Sequence, residues 1–364
     1  MTHPRLIVRR LRTRAVRVPM RRPLGTSAAR MQQAPFVLVD LETEEGVTGR
    51  AHAFCYLEDA APMIRRCVEL AGDALVGRTV DPEAFGRACN ERFRLLGVQG
   101  IVAMAVSALD VACWDALSSA AGVPLAKYLG GSAERVPAYN SNGLSLGEPT
   151  RLGEEAAALL DEGFEALKLR LGRRKAAEDL QAIRTVRGAV PDETPVMTDF
   201  NQALTVAEAL ERAPALDAAG LYWIEEPVTA DDWPGCARVA AALRTPVQLG
   251  ENLAGPAAAA GAAALKASDF LMPDLMRIGG VSGWLEMAAL AQDAGLPLSS
   301  HLYPEVSVHL LAASPTAHWL EYVDWAEPFL AERLRVAGGT GRVPARPGTG
   351  IAWDEGAVAH YAIG

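Results

Sequence analysis

Apolar and polar positions alternate along three early runs, LIVRRLRTRAVRV, FVLVDLET and VTGRAHAF. A period of two buries one face of a strand and wets the other. These runs therefore predict antiparallel sheet, with Glu45-Gly46 at a hairpin turn. The intervening PLGTSAARMQQAP is polar and aperiodic and reads as a mobile loop. Helical spacing then takes over across 59–76, 81–96 and 101–121, and Gly122 and Pro124 end the last stretch. Residues 1–130 are expected to form an α+β domain. From Val136 the texture changes again. Short apolar or β-rich runs (VPAYN, FEALKLRL, PVMTD, LYWIE, PVQLGE, FLMPD, PLSSH, HWLE) alternate with helical stretches at 176–189, 205–219, 233–243, 256–265, 283–294 and 306–313. Strands alternating with helices of this length imply parallel sheet. The fold class expected is α/β, a TIM-type barrel of seven to eight βα units over 131–325. Pro and Gly rise after 337, so 326–364 is expected to return to the first domain.

Composition adjusts this picture only slightly. A chain of 364 residues, half of them hydrophobic, is long enough for a barrel plus a smaller domain. The balance of 35 basic against 44 acidic residues does not favour nucleic acid as a partner. Nine arginines fall in the first thirty residues and no acid precedes Asp40, but this stretch reads as strand rather than targeting segment. No run of eighteen apolar residues predicts a membrane span. Five cysteines (Cys55, Cys67, Cys89, Cys113, Cys236) are odd in number and form no CxxC pair. That points to a reducing, cytoplasmic setting without structural zinc. Only four lysines stand among 31 arginines, so a lysine at a special place carries extra weight.

The candidate chemistry lies at strand ends. Asp199, Glu225 and Glu251 recur at intervals of 26 residues, each closing a predicted strand. In a parallel barrel those ends converge on one face, where active sites are built. Three hard oxygen donors there suit Mg²⁺. Three acids that merely cap helices would not need the even spacing. Lys168 and Arg170 sit two apart on one strand and so share a face. Asp274, His301 and Glu321 close three more strands.

These motifs, with ALDVACWDAL, TDFNQAL, YWIEEP, GENLAGP, MPDLMRIGGVSGW and SSHLYPE, resemble the enolase superfamily, and within it the mandelate racemase subgroup. The resemblance runs over nearly the whole chain and makes the first domain a cap, with the 20s loop as its lid. It implies Mg²⁺ on Asp199, Glu225 and Glu251. It implies a dyad in which Asp274 orients a neutral His301 as base, and a carboxylate contact from Lys168. Glu321 would hydrogen-bond the substrate carboxylate, with a raised pKa, and Asn201 would lie beside the metal-bound substrate. The reaction implied is α-proton abstraction from a small 2-hydroxycarboxylate through an enediolate. A homo-oligomer of even order is implied as well.

One position departs from the family pattern. The second base of the subgroup is a lysine, and here it is Arg170. A guanidinium loses its proton only above about pH 12. An acid-sugar dehydratase with one base is therefore favoured over a racemase or epimerase with two. Leu24, Met31 and Tyr56 match apolar-pocket positions of the mandelate type, whereas Arg30 and Arg21 could meet a second carboxylate. A metal-binding scaffold without activity is the non-enzyme alternative.

Overall fold

The computed structural model describes residues 4–363. Three long strands, β1 (Val8–Gly25), β2 (Arg30–Thr43) and β3 (Thr48–Phe54), form an antiparallel meander. The stretch expected as an irregular loop is largely strand. Leu24 pairs with Met31 and Gly25 with Arg30 across a tight turn, after a register break between Pro19 and Leu24. Ladder hydrogen bonding carries the hairpin onward where side-chain alternation has lapsed, which is why periodicity missed it. Helices α1 (Ala60–Gly72), α2 (Pro82–Arg92), α3 (Gly100–Ala120) and α4 (Leu125–Tyr128) follow. By length and composition α3 could cross a membrane, but 78% of its apolar window is buried inside the protein. It packs so closely on β3 that a Cβ at Gly49 would lie 1.9 Å from the Ala112 carbonyl oxygen.

Eight parallel strands close the barrel: β4 (Arg135–Asn140), β5 (Leu167–Arg170), β6 (Val196–Asp199), β7 (Trp223–Glu225), β8 (Val247–Leu249), β9 (Phe270–Leu271), β10 (Leu298–Ser300) and β11 (Ala317–Tyr322). The ring shuts where Leu320, Glu321 and Tyr322 pair with Ala138, Tyr139 and Asn140. The connecting helices are α5 (Leu152–Leu160), α6 (Ala176–Arg187), α7 (Val206–Asp217), α8 (Trp233–Ala242), α9 (Pro256–Ala264), α10 (Gly280–Ala294) and α11 (Pro304–Ala312). Helix α7 begins at a full capping box of Thr205 and Glu208. Inside the barrel, Tyr139, Ala166, Met197 and Trp223 form a separate buried apolar plug. This is a closed eight-stranded parallel barrel under an antiparallel capping domain.

The C-terminal segment does two jobs. Strands β12 (Val336–Ala337) and β13 (Thr340–Arg342) first extend the barrel sheet antiparallel to β4. The chain then crosses to the capping sheet, where α12 (Glu355–Tyr361) leads to β14 (Ala362–Ile363), paired with β1. Trp353 donates from its indole nitrogen to Asp40 at 2.6 Å on the way.

His309 of α11 ties this segment down. Its Nδ1 accepts from the Ala126 amide at 3.2 Å, and its Nε2 donates to the Thr349 carbonyl at 3.0 Å. The bond accepted at Nδ1 requires the neutral ring, and burial lowers its pKa from 6.5 to about 4. The folded value lies below the unfolded one, so the neutral ring's contribution is full above pH 6.5 and is lost as pH falls toward 4. Stability should therefore drop across that window, with a share from His318, also lowered to about 4 by burial. His309→Leu should lose on the order of 2 kcal/mol at pH 7, because it strands a buried amide. It should also flatten the pH dependence. Urea melts at pH 7, 5.5 and 4.5 would check this, and an unchanged slope in the variant would refute it.

Candidate active site

Strand register sets the first part of the site. Arg170 pairs laterally with Asp199, and Asp199 with Glu225. Asp274 bridges His301 just beyond the ends of β9 and β10. The chain then turns sharply after Asp199, Glu225 and His301. Asn201, Gln202, Glu226, Leu302 and Tyr303 all have positive φ, as does Tyr56 of the capping domain. Such backbone costs about 1–3 kcal/mol per residue and persists only where surroundings over-determine it.

Asp199, Glu225 and Glu251 each place one carboxylate oxygen within 4.8 Å of the others. Asp199 and Glu225 are fully buried. An octahedral Mg²⁺ with oxygens at about 2.1 Å spans neighbouring ligands about 3 Å apart, so three such atoms can share one ion. Burial first, then Asp199 and Glu251, push the Glu225 carboxyl well above the usual range. A cluster that resists ionisation without a cation is a cluster suited to one. Asn201 folds back on Asp199, donating from Nδ2 at 3.0 Å and from its amide at 2.7 Å.

Lys168 is the buried counter-charge. Its Nζ lies 2.8 Å from Glu321, 2.9 Å from Glu225 and 3.1 Å from Asp199. Burial opposes its charge, yet Glu225, Glu321 and Asp199 together hold it well above the ordinary lysine value. Glu321 also accepts from Ser141 Oγ at 2.6 Å and from the Leu302 amide at 2.8 Å. Here the expectation of a raised Glu321 pKa fails. Burial raises it, but Lys168, His301 and Arg170 outweigh burial and hold it well below the usual range. Crowded carboxylates alone would have raised it, but the cations between them decide the sign.

His301 receives Asp274 on Nδ1 at 2.9 Å, and Glu251 lies 3.1 Å from its Nε2. Burial lowers its pKa, but Glu251, Asp274 and Glu321 raise it to about 9. A divalent cation on Glu251 would offset the largest of these raising influences and favour the neutral ring that a base requires. Asp274 is steadied further by Tyr56, whose hydroxyl donates at 3.3 Å. Arg277, which the strand-end pattern missed, stacks over Tyr56 at 5.3 Å and donates to Asn252.

Most of these groups line one cavity of about 220 Å³ at the barrel mouth. Its lining combines Lys168, Arg170, Asp199, Glu251, Glu321 and His301 with the apolar Leu24, Met31, Phe54 and Trp325. Phe54 and Trp325 stack at 5.0 Å. Arg30 is exposed and outside the lining, and Arg21 and Arg22 pair with Glu162 instead. Ser141, Phe54 and Trp325 escaped sequence reasoning. Ser141 follows the β4 strand end directly, so the logic that found the acids applied to it too.

Comparison with known proteins fits this geometry. Residues 8–130 match the mandelate racemase/muconate lactonizing enzyme N-terminal domain, and residues 151–357 match the enolase C-terminal domain-like family. The chain belongs to the mandelate racemase/muconate lactonizing enzyme family of the enolase superfamily. It is 31% identical to an L-talarate/galactarate dehydratase of Salmonella typhimurium over 89% of this chain and 82% of that one. An enolase from an alpha proteobacterium, BAL199, solved with bound magnesium, superposes with a TM-score of 0.96 at 41% identity, covering 98% and 100% of the two chains. A Bradyrhizobium enolase, complexed with magnesium and mandelic acid, gives 0.94 at 42% identity over the full length of both. Both of these solved relatives hold magnesium, and the carboxylate triad of this chain is fit to hold Mg²⁺.

Glu225→Gln should weaken Mg²⁺ binding at least tenfold by calorimetry while leaving the far-ultraviolet circular dichroism unchanged. Equal affinity in the variant would rule out the triad as the metal site.

Proposed function

We propose that this enzyme abstracts the α-proton of a 2-hydroxycarboxylate with His301 as its single base, and that loss of a β-hydroxyl follows. The observation that carries this reading is the tethering of Arg170. Its Nη1 donates to the Ser141 carbonyl at 3.0 Å and its Nη2 to Ser141 Oγ at 2.9 Å. A guanidinium held this way supplies hydrogen bonds and positive charge but accepts no proton. Its strand, β5, lies three places round the ring from β10, which carries His301. Among the described lining residues no second histidine, and no lysine besides Lys168, offers another base.

The chain's own groups then divide the work. Lys168 and Arg170 hold positive charge at the carboxylate end, and Asp274 fixes the His301 ring. When bound, a divalent cation supplies charge where negative charge develops as the α-proton leaves. His301 Nε2 takes that proton. The electron pair of the broken C–H bond forms the C2=C3 bond as the C3–O bond breaks. The departing hydroxyl takes that proton back from His301 Nε2 and leaves as water, and the enol becomes a 2-keto acid. Glu321 stays ionised and orients Lys168, Ser141 and the Leu302 amide.

A second reading concerns the substituent. The apolar lining of Leu24, Met31, Phe54 and Trp325 favours an apolar group there, each well-buried contact gaining about 1–2 kcal/mol. The mandelic acid of the Bradyrhizobium structure is such a molecule. It has no β-hydroxyl, so α-proton exchange would be its readout.

Proton NMR in D₂O, with both epimers of several acid sugars and of mandelate, tests both readings. One α-configuration should exchange and its epimer should not, and His301→Asn should abolish exchange. Comparable exchange of both epimers would overturn the single-base reading. If the apolar wall selects, Leu24→Ser should raise KM about tenfold and Arg30→Ala should be nearly silent. The reverse pattern would favour a diacid.

A further inference from the structure

We propose that His52 and Tyr303, which lie outside the substrate cavity, are positioning residues that aim His301 from the capping domain. This rests on the reading of His301 as base.

The difficulty they solve is conformational. Leu302 and Tyr303 follow His301 directly, and both are left-handed, at φ 50° and 51°. Two consecutive side-chain-bearing residues in that region will not stay there unaided. The first is held from the barrel, because its amide donates to Glu321 at 2.8 Å. The second is held from the capping domain. Tyr303's hydroxyl accepts from the His52 amide on β3 at 2.7 Å. Its ring lies on the His52 imidazole with centroids 4.0 Å apart and planes at 35°. Both residues are buried. His52 in turn meets Glu305, the second residue of α11, at 3.4 Å. One strand residue of the cap thus grips the turn that follows the base and the helix that follows the turn.

The other half of the dyad is braced from the same domain. Ser107 Oγ of α3 accepts from the Gly279 amide at 3.1 Å, and Asp110 accepts from Ser282 N at 3.0 Å and Oγ at 2.5 Å. These bonds fix the start of α10, a few residues beyond Asp274. Gly280 is positive in φ there, and a Cβ on it would meet Asp110 at 2.6 Å. The cap therefore does more than cover the cavity. It clamps both segments that set the 2.9 Å contact of Asp274 with His301.

The test uses the full chain with saturating Mg²⁺ and ¹⁵N-labelled histidine. Long-range ¹H–¹⁵N spectra report the tautomer of His301, whose signals are assigned by their loss in His301→Asn. Tyr303→Phe removes only the acceptor for the His52 amide, and Tyr303→Leu removes the stacked ring as well. Both should shift or broaden the His301 signals, Leu more than Phe. They should lower the first-order exchange constant about tenfold or more, with KM and Mg²⁺ affinity within twofold. His301 signals and exchange unchanged in a folded Tyr303→Leu protein would overturn the proposal. If that variant does not fold, Tyr303→Phe and His52→Phe decide by the same spectra. Should no compound exchange even in the unaltered enzyme, the single-base reading fails, while the spectra still judge the positioning role.

Discussion

Lys168 brings one ammonium within 3.1 Å of carboxylates from three different strands, at a place almost free of water. Two like charges 4.8 Å apart repel by roughly 3 kcal/mol at an effective dielectric of about 20. Asp199, Glu225, Glu251 and Glu321 therefore could not crowd the barrel mouth without compensation. Lys168 supplies part of it and the Ser141–Arg170 pair a further part. The remaining excess of negative charge is the thermodynamic invitation to a divalent cation. Glu251, foremost among these acids, also raises the His301 pKa.

The barrel holds these groups by register, whereas the cap holds the dyad by contact. Register is stiff, since a slip of one residue would turn Asp199 or Glu225 away from the site. The dyad sits past the strand ends, where register no longer governs. There the chain is bent into left-handed backbone and must be held by neighbours. Tyr56 on Asp274, His52 on Tyr303 and Asp110 on Ser282 are those neighbours, and all three belong to the capping domain. The C-terminal segment, bound to β4 and then to β1, keeps that domain seated.

The apolar part of the cavity lining comes largely from the capping domain. In the proposed reading the acid ring would handle the carboxylate end, and the hairpin of β1 and β2 would face the rest of the substrate. Leu24 and Met31 meet across that hairpin because its ladder pairs them. Phe54 from the cap and Trp325, just beyond β11, add to this apolar lining. The lining thus combines a guanidinium at position 170 with apolar side chains from the cap.

The sequence by itself determined the repeating units and the strand-end acids. Alternation and helical period are local properties, and a barrel places every strand end on one rim whatever the loops do. Asp199, Glu225, Glu251, Lys168 and His301 were legible for that reason, and a guanidinium at position 170 excluded a base from chemistry alone. Tertiary structure decided what depends on distance between segments remote in the chain. The sign of the Glu321 shift came from Lys168, His301 and Arg170, which only folding brings near. The 20s hairpin needed its partner strand to be seen as strand. Arg30 pointed away, and Ser141, Phe54 and Trp325 joined the site, because direction in space is set by packing. No period in the sequence encodes that, since packing is a contact among many residues at once.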